Sequence, residues 1–113
     1  MNEFDLRKQK QVSIDNTDPI EVVIVGGNTS VHSTQAATTS EVTLAATNSS
    51  RVAVQIHNNS TNTLYVKYGT GVSAGSFSLK LRKDDWAFID DYRGQITGVW
   101  NGTNGNAQIT ETS

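Results

Sequence analysis

Strict alternation of apolar and polar residues from about residue 41 onward is the feature that most limits what this chain can fold into. In the segment SFSLKLR, Phe77, Leu79 and Leu81 alternate with serine, lysine and arginine. Similar short segments recur between turn signals such as NSTN, KDD and NGTNGN. Successive side chains of a β-strand point to opposite faces, and no window shows the roughly 3.6-residue spacing of an amphipathic helix. The pattern predicts an all-β fold over residues 41–113, a small antiparallel β-sandwich of jelly-roll or immunoglobulin type.

The same alternation predicts which side chains form the core. The residues expected to face inward are Val42, Leu44, Ala46, Val52, Val54, Ile56, Leu64, Val66, Tyr68, Phe77, Leu79 and Leu81. Trp86, Phe88 and Trp100 are expected to join Phe77 as the bulk of the buried apolar area, because aromatic side chains bury the largest surface. The residues expected to face outward include Arg51, Ala53, Gln55, His57, Tyr65 and Lys67.

The first forty residues follow a different pattern. Residues 1–19 are polar and locally basic and predict an extended N-terminal arm, whereas residues 26–40 are small and polar without periodicity and predict a linker. Between them, the segment IEVVIV (residues 20–25) is apolar on both faces, which is typical of a strand buried on both sides or paired with another chain. Together the arm, the apolar segment and the linker predict a region that attaches the domain to a partner. Its expected partner-binding residues are Phe4, Leu6 and Arg7 in the arm, and Ile20, Val22, Val23, Ile24 and Val25 in the strand.

Composition excludes several classes of partner. The chain has 113 residues and a formal net charge of −2, so it lacks the excess of Lys and Arg that phosphate binding needs, and we expect no nucleic-acid partner. It has no cysteine, which excludes disulfides and thiolate chemistry. No segment approaches the roughly 18–20 apolar residues of a membrane span, so no membrane partner is expected.

Acidic residues and histidines give no convincing catalytic or metal-binding set. Two aspartate pairs, at positions 84–85 and 90–91, lie at opposite ends of the segment WAFI, about 15–20 Å apart if that segment is a strand. Calcium at one pair stays open as an alternative to turn capping. His32 and His57 have no neighbours at metal-ligand spacing, and no Gly-x-Ser-x-Gly nucleophile elbow occurs. We therefore expect no enzyme activity, no metal and no cofactor.

One further candidate is an outward face formed by adjacent strands. Arg51, Gln55, Tyr65 and Lys67 are all expected to point outward, so together they could bind a partner or a sugar. A plain solvated face is the alternative, because single exposed aromatic residues are common on protein surfaces.

Residues 51–111 resemble small β-sandwich domains in structural proteins of tailed bacteriophages. The matching motifs are NNS at 58–60, LYVKYG at 64–69, SFSLKL at 76–81, YRGQITGVW at 92–100 and GNAQITE at 105–111. The upstream segment DNTDPIEV at 15–22 is similar to N-terminal segments of phage virion proteins. These motifs are turn and core positions, so the resemblance implies a fold and a location and carries no active site with it.

The resemblance implies a non-enzymatic virion protein. A small domain with an extended arm suits a capsid decoration, or cement, protein that lies on the capsid surface. Its expected partners are the major capsid protein and further copies of itself. The alternative is a head- or tail-associated adhesion module that binds host glycans through an exposed aromatic face.

Overall fold

The computed structural model describes residues 28–113, which form eight β-strands and no helix. The strands are β1 (Ser30–Ala36), β2 (Val42–Ala45), β3 (Ala53–Asn59), β4 (Leu64–Tyr68), β5 (Leu79–Leu81), β6 (Trp86–Ile89), β7 (Ile96–Trp100) and β8 (Asn106–Thr112). The predicted arm and the segment at 20–25 lie outside the described residues.

The strands form two four-stranded antiparallel sheets. The first sheet has the order β1-β8-β3-β6, and the second has the order β2-β7-β4-β5. The pairings are nested: the first strand pairs with the last, the second with the seventh, the third with the sixth and the fourth with the fifth. A long hairpin wrapped into two sheets in this way is a jelly roll. The predicted all-β sandwich is therefore confirmed, and its strand order is the jelly-roll order rather than the immunoglobulin one.

β1 is the first departure from the sequence-based prediction. The segment at 30–36 was expected to be part of a linker, yet it pairs with β8 in an unbroken register from Ser30↔Thr112 to Ala36↔Asn106. Its side chains are almost all exposed, so no apolar alternation marks it as a strand. Backbone pairing and polar side-chain contacts hold it instead. The linker prediction is wrong for these residues, and the sandwich begins before residue 41.

The core lies between the sheets and confirms much of the predicted inward set. Val54 and Ile56 of β3, Leu64 and Val66 of β4, and Ile96 of β7 are fully buried. Gly98 of β7 leaves room for core side chains of the two neighbouring strands in its own sheet. A Cβ atom at that position would lie 2.7 Å from Cδ1 of Leu44 in β2 and 3.1 Å from Cδ1 of Leu64 in β4, so these leucines pack over residue 98 because it has no side chain.

Two assignments of alanines, one inward and one outward, are wrong for local reasons. The pairing of β2 with β7 shifts register between Thr43 and Ala45, so Ala45 is buried and Ala46 is exposed. A β-bulge of this kind moves every later side chain to the other face. Ala53, expected to face outward, is also buried, at the end of β3 beside Thr112.

The aromatic residues give the largest correction. Trp100 is 2% exposed, as predicted, but Trp86 and Phe88 are each 60% exposed and Phe77 is 42% exposed. Every residue of WAFI is apolar, so either set of alternating positions could have faced the core. The pairings Val54↔Ile89 and Ile56↔Ala87 turn the smaller pair inward, which leaves the two aromatic rings of β6 on the outer face.

Candidate functional site

The most distinctive surface of the described residues is β6, an edge strand with two exposed aromatic side chains. We call Trp86 and Phe88, with their backbone groups, the aromatic edge. Within residues 28–113, β6 pairs only with β3. Both rings lie on the outer face of the first sheet, because side chains two residues apart share a face.

The hydrogen-bond pattern shows where the backbone groups of the aromatic edge point. The amide of Asn58 in β3 donates to the carbonyl of Asp85 (2.8 Å). The backbone groups of the odd-numbered residues 85, 87 and 89 therefore point toward β3. Antiparallel ladders alternate, so the N–H and C=O groups of residues 86 and 88 point away from β3. The aromatic edge therefore combines exposed rings with backbone donors and acceptors that no residue of 28–113 pairs in a ladder.

Polar side chains extend from the aromatic edge across the outer face of the first sheet. Trp86 lies opposite His57, which lies opposite Gln108. Phe88 lies opposite Gln55 in the neighbouring row. The face thus carries amides and an imidazole next to the two rings.

The far side of this face is ordered by hydrogen bonds between side chains. Nε2 of His32 donates to Oε1 of Gln108 (2.7 Å), and Nε2 of Gln108 donates to Oδ1 of Asn106 (2.8 Å). Thr34 also donates to Gln108, over 3.3 Å. These contacts hold β1 on β8 and restrict the polar side chains to fixed orientations.

Charge is confined to the rim of this face. Asp84, in the turn before β6, lies 3.9 Å from Nε2 of His57 and 3.4 Å from Nζ of Lys83. Its φ of 63° is in the left-handed region, and Asp85 accepts a hydrogen bond from the amide of Arg82 (2.9 Å) through its side chain. This aspartate pair therefore shapes a tight turn, as the turn-capping interpretation predicted. Within residues 28–113 no cluster of three or more His, Cys, Asp or Glu side chains could hold a metal ion.

The candidate outward face of Arg51, Gln55, Tyr65 and Lys67 is not formed. Gln55 belongs to β3 in the first sheet, whereas Tyr65 and Lys67 belong to β4 in the second sheet. Tyr65 instead packs against Phe77, with 5.2 Å between the ring centroids. It also lines a cleft of ≈ 280 Å³ over the second sheet, together with Glu41 and Val72. The alternation identified Gln55, Tyr65 and Lys67 as strand residues but could not assign the strands to sheets, and it placed Arg51 outward although its side chain is buried.

Arg51 has a role that the sequence did not reveal. Its side chain is buried, and Nε donates to Oε2 of Glu111 over 2.6 Å. The rest of the guanidinium donates to three backbone carbonyls: Nη1 to Tyr92 (3.1 Å) and Gly94 (2.9 Å), and Nη2 to Ala46 (2.6 Å). One buried cation thus joins the loops after β2 and β6 to the end of β8.

Asn58 plays the same part at the other end of the sandwich. Its Nδ2 group donates to the carbonyls of Asn62, Leu81 and Arg82 over 2.8–3.0 Å. Its Oδ1 atom accepts hydrogen bonds from Trp100 (3.1 Å) and Ser60 (2.8 Å). Every polar atom of this buried amide is satisfied, as burial requires. Arg51 and Asn58 are therefore structural, and neither is available to a ligand.

Tyr68 is the described residue with a shifted proton affinity. Burial, followed by the nearby carboxylates of Asp91 and Asp90, raises the pKa of its phenol, because both disfavour the phenolate. The ring stacks on Tyr92 with 4.8 Å between centroids. A neutral tyrosine stacked in this way is a packing element, and it offers no base for catalysis near neutral pH.

The partner-binding residues predicted from the sequence lie outside the described residues. They are Phe4, Leu6, Arg7, Ile20, Val22, Val23, Ile24 and Val25. In the part of the chain that the structure describes, no helix is long and apolar enough to cross a membrane.

The fold and the site define a jelly-roll β-sandwich with buried polar anchors and one open aromatic edge, an architecture shared by viral capsid and lectin domains. No protein-family model matches the chain, and neither the curated proteins nor the solved structures contain a significant match.

Proposed function

We propose that this chain is a non-enzymatic structural protein of a tailed-phage virion, which binds the capsid surface and stabilises the head. The observation that carries the proposal is the aromatic edge. Two large apolar side chains, each 60% exposed, stand next to backbone groups that no strand of residues 28–113 pairs. Contiguous exposed apolar surface of this kind marks a contact with another protein.

The resemblance over residues 51–111 directs that contact to a virion. The motifs that carry it overlap the end of β3 and cover β4, β5, β7 and most of β8. The major capsid protein is the proposed partner, with further copies of this chain as neighbours on the lattice. Many weak contacts, repeated on each subunit, would add up through lattice avidity.

The arm supplies the second half of the proposed attachment. Asn28 and Thr29 each donate a backbone hydrogen bond to the carbonyl of Ser113 (3.1 and 3.0 Å). The chain preceding residue 28 therefore starts from a fixed point beside β8. Phe4, Leu6 and Arg7 are the proposed anchors on the capsid, and residues 20–25 are the proposed interface strand.

Cosedimentation with purified empty phage heads tests this function. The full chain is expected to pellet with the heads and to saturate at a fixed ratio to the capsid subunit. The triple variant Phe4→Ala/Leu6→Ala/Arg7→Ala is expected to lose at least about tenfold in affinity, the effect of truncating an interface anchor. The matched control is Lys80→Ala, which removes an exposed cation from β5.

A shortened chain distinguishes binding by the arm from binding by the sandwich. The deletion should remove residues 1–27 only, because deletion of β1 as well would leave β8 paired with β3 alone. Binding by the triple variant equal to that of the full chain would refute the arm anchors. Failure of the full chain to bind heads at any concentration would refute the capsid role itself.

A second candidate, a glycan-binding adhesion module, is favoured by the neutral polar side chains beside the aromatic edge. Sugar rings stack on aromatic side chains while their hydroxyl groups bond to amides and imidazoles, and Gln55 and His57 stand next to Phe88 and Trp86. Calorimetric titration with neutral oligosaccharides tests this candidate. Gln55→Ala should then weaken binding while Gln95→Ala, which removes an amide beside the second sheet, should not.

A further inference from the structure

The aromatic edge differs from the other three sheet edges in its chemistry. The other edge strands, β1 (SVHSTQA), β2 (VTLA) and β5 (LKL), each include polar residues, whereas WAFI in β6 is apolar on both faces. On the outer face stand Trp86 and Phe88; on the inner face stand Ala87 and Ile89, of which Ile89 is only 1% exposed. Strands with apolar side chains on both faces are typical of strands whose two faces are both covered. Among residues 28–113, the outer face of β6 is exposed at Trp86 and Phe88, and its outer edge has no paired strand.

One segment of this chain has the matching chemistry. Residues 20–25, IEVVIV, are also apolar on both faces, with Ile20, Val22 and Ile24 on one side and Val23 and Val25 on the other. Only Glu21 is charged. A strand of this composition, added beside β6, would extend both apolar faces at once and would pair with the backbone groups of the aromatic edge. Addition of an extended segment to an exposed sheet edge is an established mode of protein recognition.

The length of the connecting chain decides which copy supplies the segment. Asn28 is fixed beside Ser113 at the β1 side of the first sheet, and β6 is at the opposite edge. A position beyond β6 lies four strand spacings from β1, about 19 Å. The three residues from Val25 to Asn28 span at most about 10 Å. The segment therefore cannot reach the aromatic edge of its own sandwich.

We propose that the aromatic edge of one copy receives residues 20–25 of a second copy as an added strand. This inference rests on the homo-oligomeric role proposed above and names the surface through which the copies join. Glu21 stays hydrated on the outer face, so Val23 and Val25 lie on that same face beside Trp86 and Phe88. Ile20, Val22 and Ile24 then face inward, next to Ala87 and Ile89.

Disulfide trapping tests the proposal, because the chain has no cysteine of its own. Two single variants of the full chain, Val23→Cys and Phe88→Cys, are mixed and oxidised. A bridge between position 23 and position 88 in this mixture can form only between two copies. We expect a covalent heterodimer as the main product, identified by the cross-linked peptide in mass spectrometry.

The matched control pairs Val23→Cys with Val31→Cys. Val31 is as exposed as Phe88, at 60%, but lies on β1, so this mixture reports random collision alone. Equal yields in the two mixtures would overturn the proposal. So would a chain that sediments as a monomer up to high concentration, or a chain in which a neutral oligosaccharide occupies the aromatic edge without any effect on oligomeric state.

The charge variants complete the test in solution. Val23→Asp and Phe88→Asp are each expected to shift the full chain from oligomer to monomer in sedimentation equilibrium, whereas Val31→Asp is expected to leave the oligomer intact. This measurement contains no capsid. Failure of strand addition therefore appears as a lost oligomer or a missing cross-link, and failure of the capsid role appears separately as a lack of cosedimentation with heads.

Discussion

Arg51 and the aromatic edge show opposite behaviour within one small sandwich. Arg51, the kind of residue that normally lies on the surface, is 1% exposed, whereas Trp86 and Phe88, which normally help to fill cores, are 60% exposed. The buried arginine has partners for its guanidinium in the end loops, and the exposed rings have no comparable packing. The contrast separates the part of the molecule that maintains the fold from the part that is free to bind. Each of the following predictions tests that separation.

The largest effect is expected at Arg51. Arg51→Leu leaves the Glu111 carboxylate without its cation and the carbonyls of Ala46, Tyr92 and Gly94 without their donor. Breaking a buried ion pair by removing one partner costs about 3–5 kcal/mol, so the free energy of unfolding should fall by that amount. Denaturant titration measures it.

Arg93 supplies the matched control. Its side chain is exposed and makes no hydrogen bond with any residue of 28–113, so Arg93→Leu should change the free energy of unfolding by less than about 0.5 kcal/mol. Equal losses at the two arginines would mean that the loop contacts of Arg51 do not stabilise the fold.

Asn58→Ala should rank second among the substitutions of buried polar residues. The substitution removes the buried amide that bonds three carbonyls and the indole of Trp100. Each buried group left unsatisfied costs about 1–3 kcal/mol, although water can reach part of the site, so we expect a loss of about 3 kcal/mol in the free energy of unfolding. Asn59→Ala is the control, because the exposed neighbour makes one side-chain hydrogen bond, of 3.2 Å, to Asn106.

Gly98→Ala tests the packing of Leu44 and Leu64 over residue 98. The new methyl group would lie 2.7 Å from Cδ1 of Leu44 and 3.1 Å from Cδ1 of Leu64, closer than van der Waals contact allows. Overpacking of this kind costs about 1–3 kcal/mol. Gly75→Ala is the control, because its Cβ would meet nothing nearer than the Ser73 hydroxyl at 4.0 Å. Thermal unfolding of both variants measures the effect. An unchanged melting temperature in Gly98→Ala would show that the Leu44 and Leu64 side chains can move aside at little cost.

The sequence predicted the central strands well. The prediction failed where the apolar pattern fitted either face of a strand, and where a strand had no apolar pattern. In β3 and β4, valine, isoleucine and leucine alternate with polar residues, so the inward positions at 54, 56, 64 and 66 were identified correctly. WAFI offers apolar side chains at both alternations, and only its register on β3 decides between them. β1 has no apolar pattern at all.

The buried polar residues mark the limit of reasoning from pattern. Arg51 was assigned to the surface because an arginine in an alternating segment normally points to solvent. Its burial depends on carbonyls more than forty residues away, at Tyr92 and Gly94, and on Glu111. No local pattern contains that information. For the same reason the sequence could not decide whether Arg51, Gln55, Tyr65 and Lys67 share a face, since that required knowledge of which strands share a sheet.

A smaller effect is expected from the ionisation of Tyr68. Because its pKa is raised in the folded state, the folded chain holds the phenol proton more tightly than the unfolded chain does. The resulting stabilisation is fully present below pH 10.0, the ordinary pKa of tyrosine, and is lost as the pH rises through the raised folded-state pKa. The free energy of unfolding should therefore decline less steeply above that pH in Tyr68→Phe than in the unmodified chain. Identical alkaline profiles would show that Tyr68 ionises as easily in the fold as outside it.

The smallest effect on stability is expected at Trp86, and the buried Trp100 serves as the comparison. Trp100→Ala removes a side chain that is 2% exposed and should cost about 3–5 kcal/mol, as large core truncations do. Trp86→Ala removes one that is 60% exposed, and at concentrations where the chain is monomeric we expect a change of about 0.5 kcal/mol or less. The same variant should nevertheless abolish self-association, because its ring contributes to the added-strand interface and not to the core. A large loss of monomer stability in Trp86→Ala would mean that the ring stabilises the sandwich itself. The aromatic edge would then not be distinct from the part of the molecule that maintains the fold.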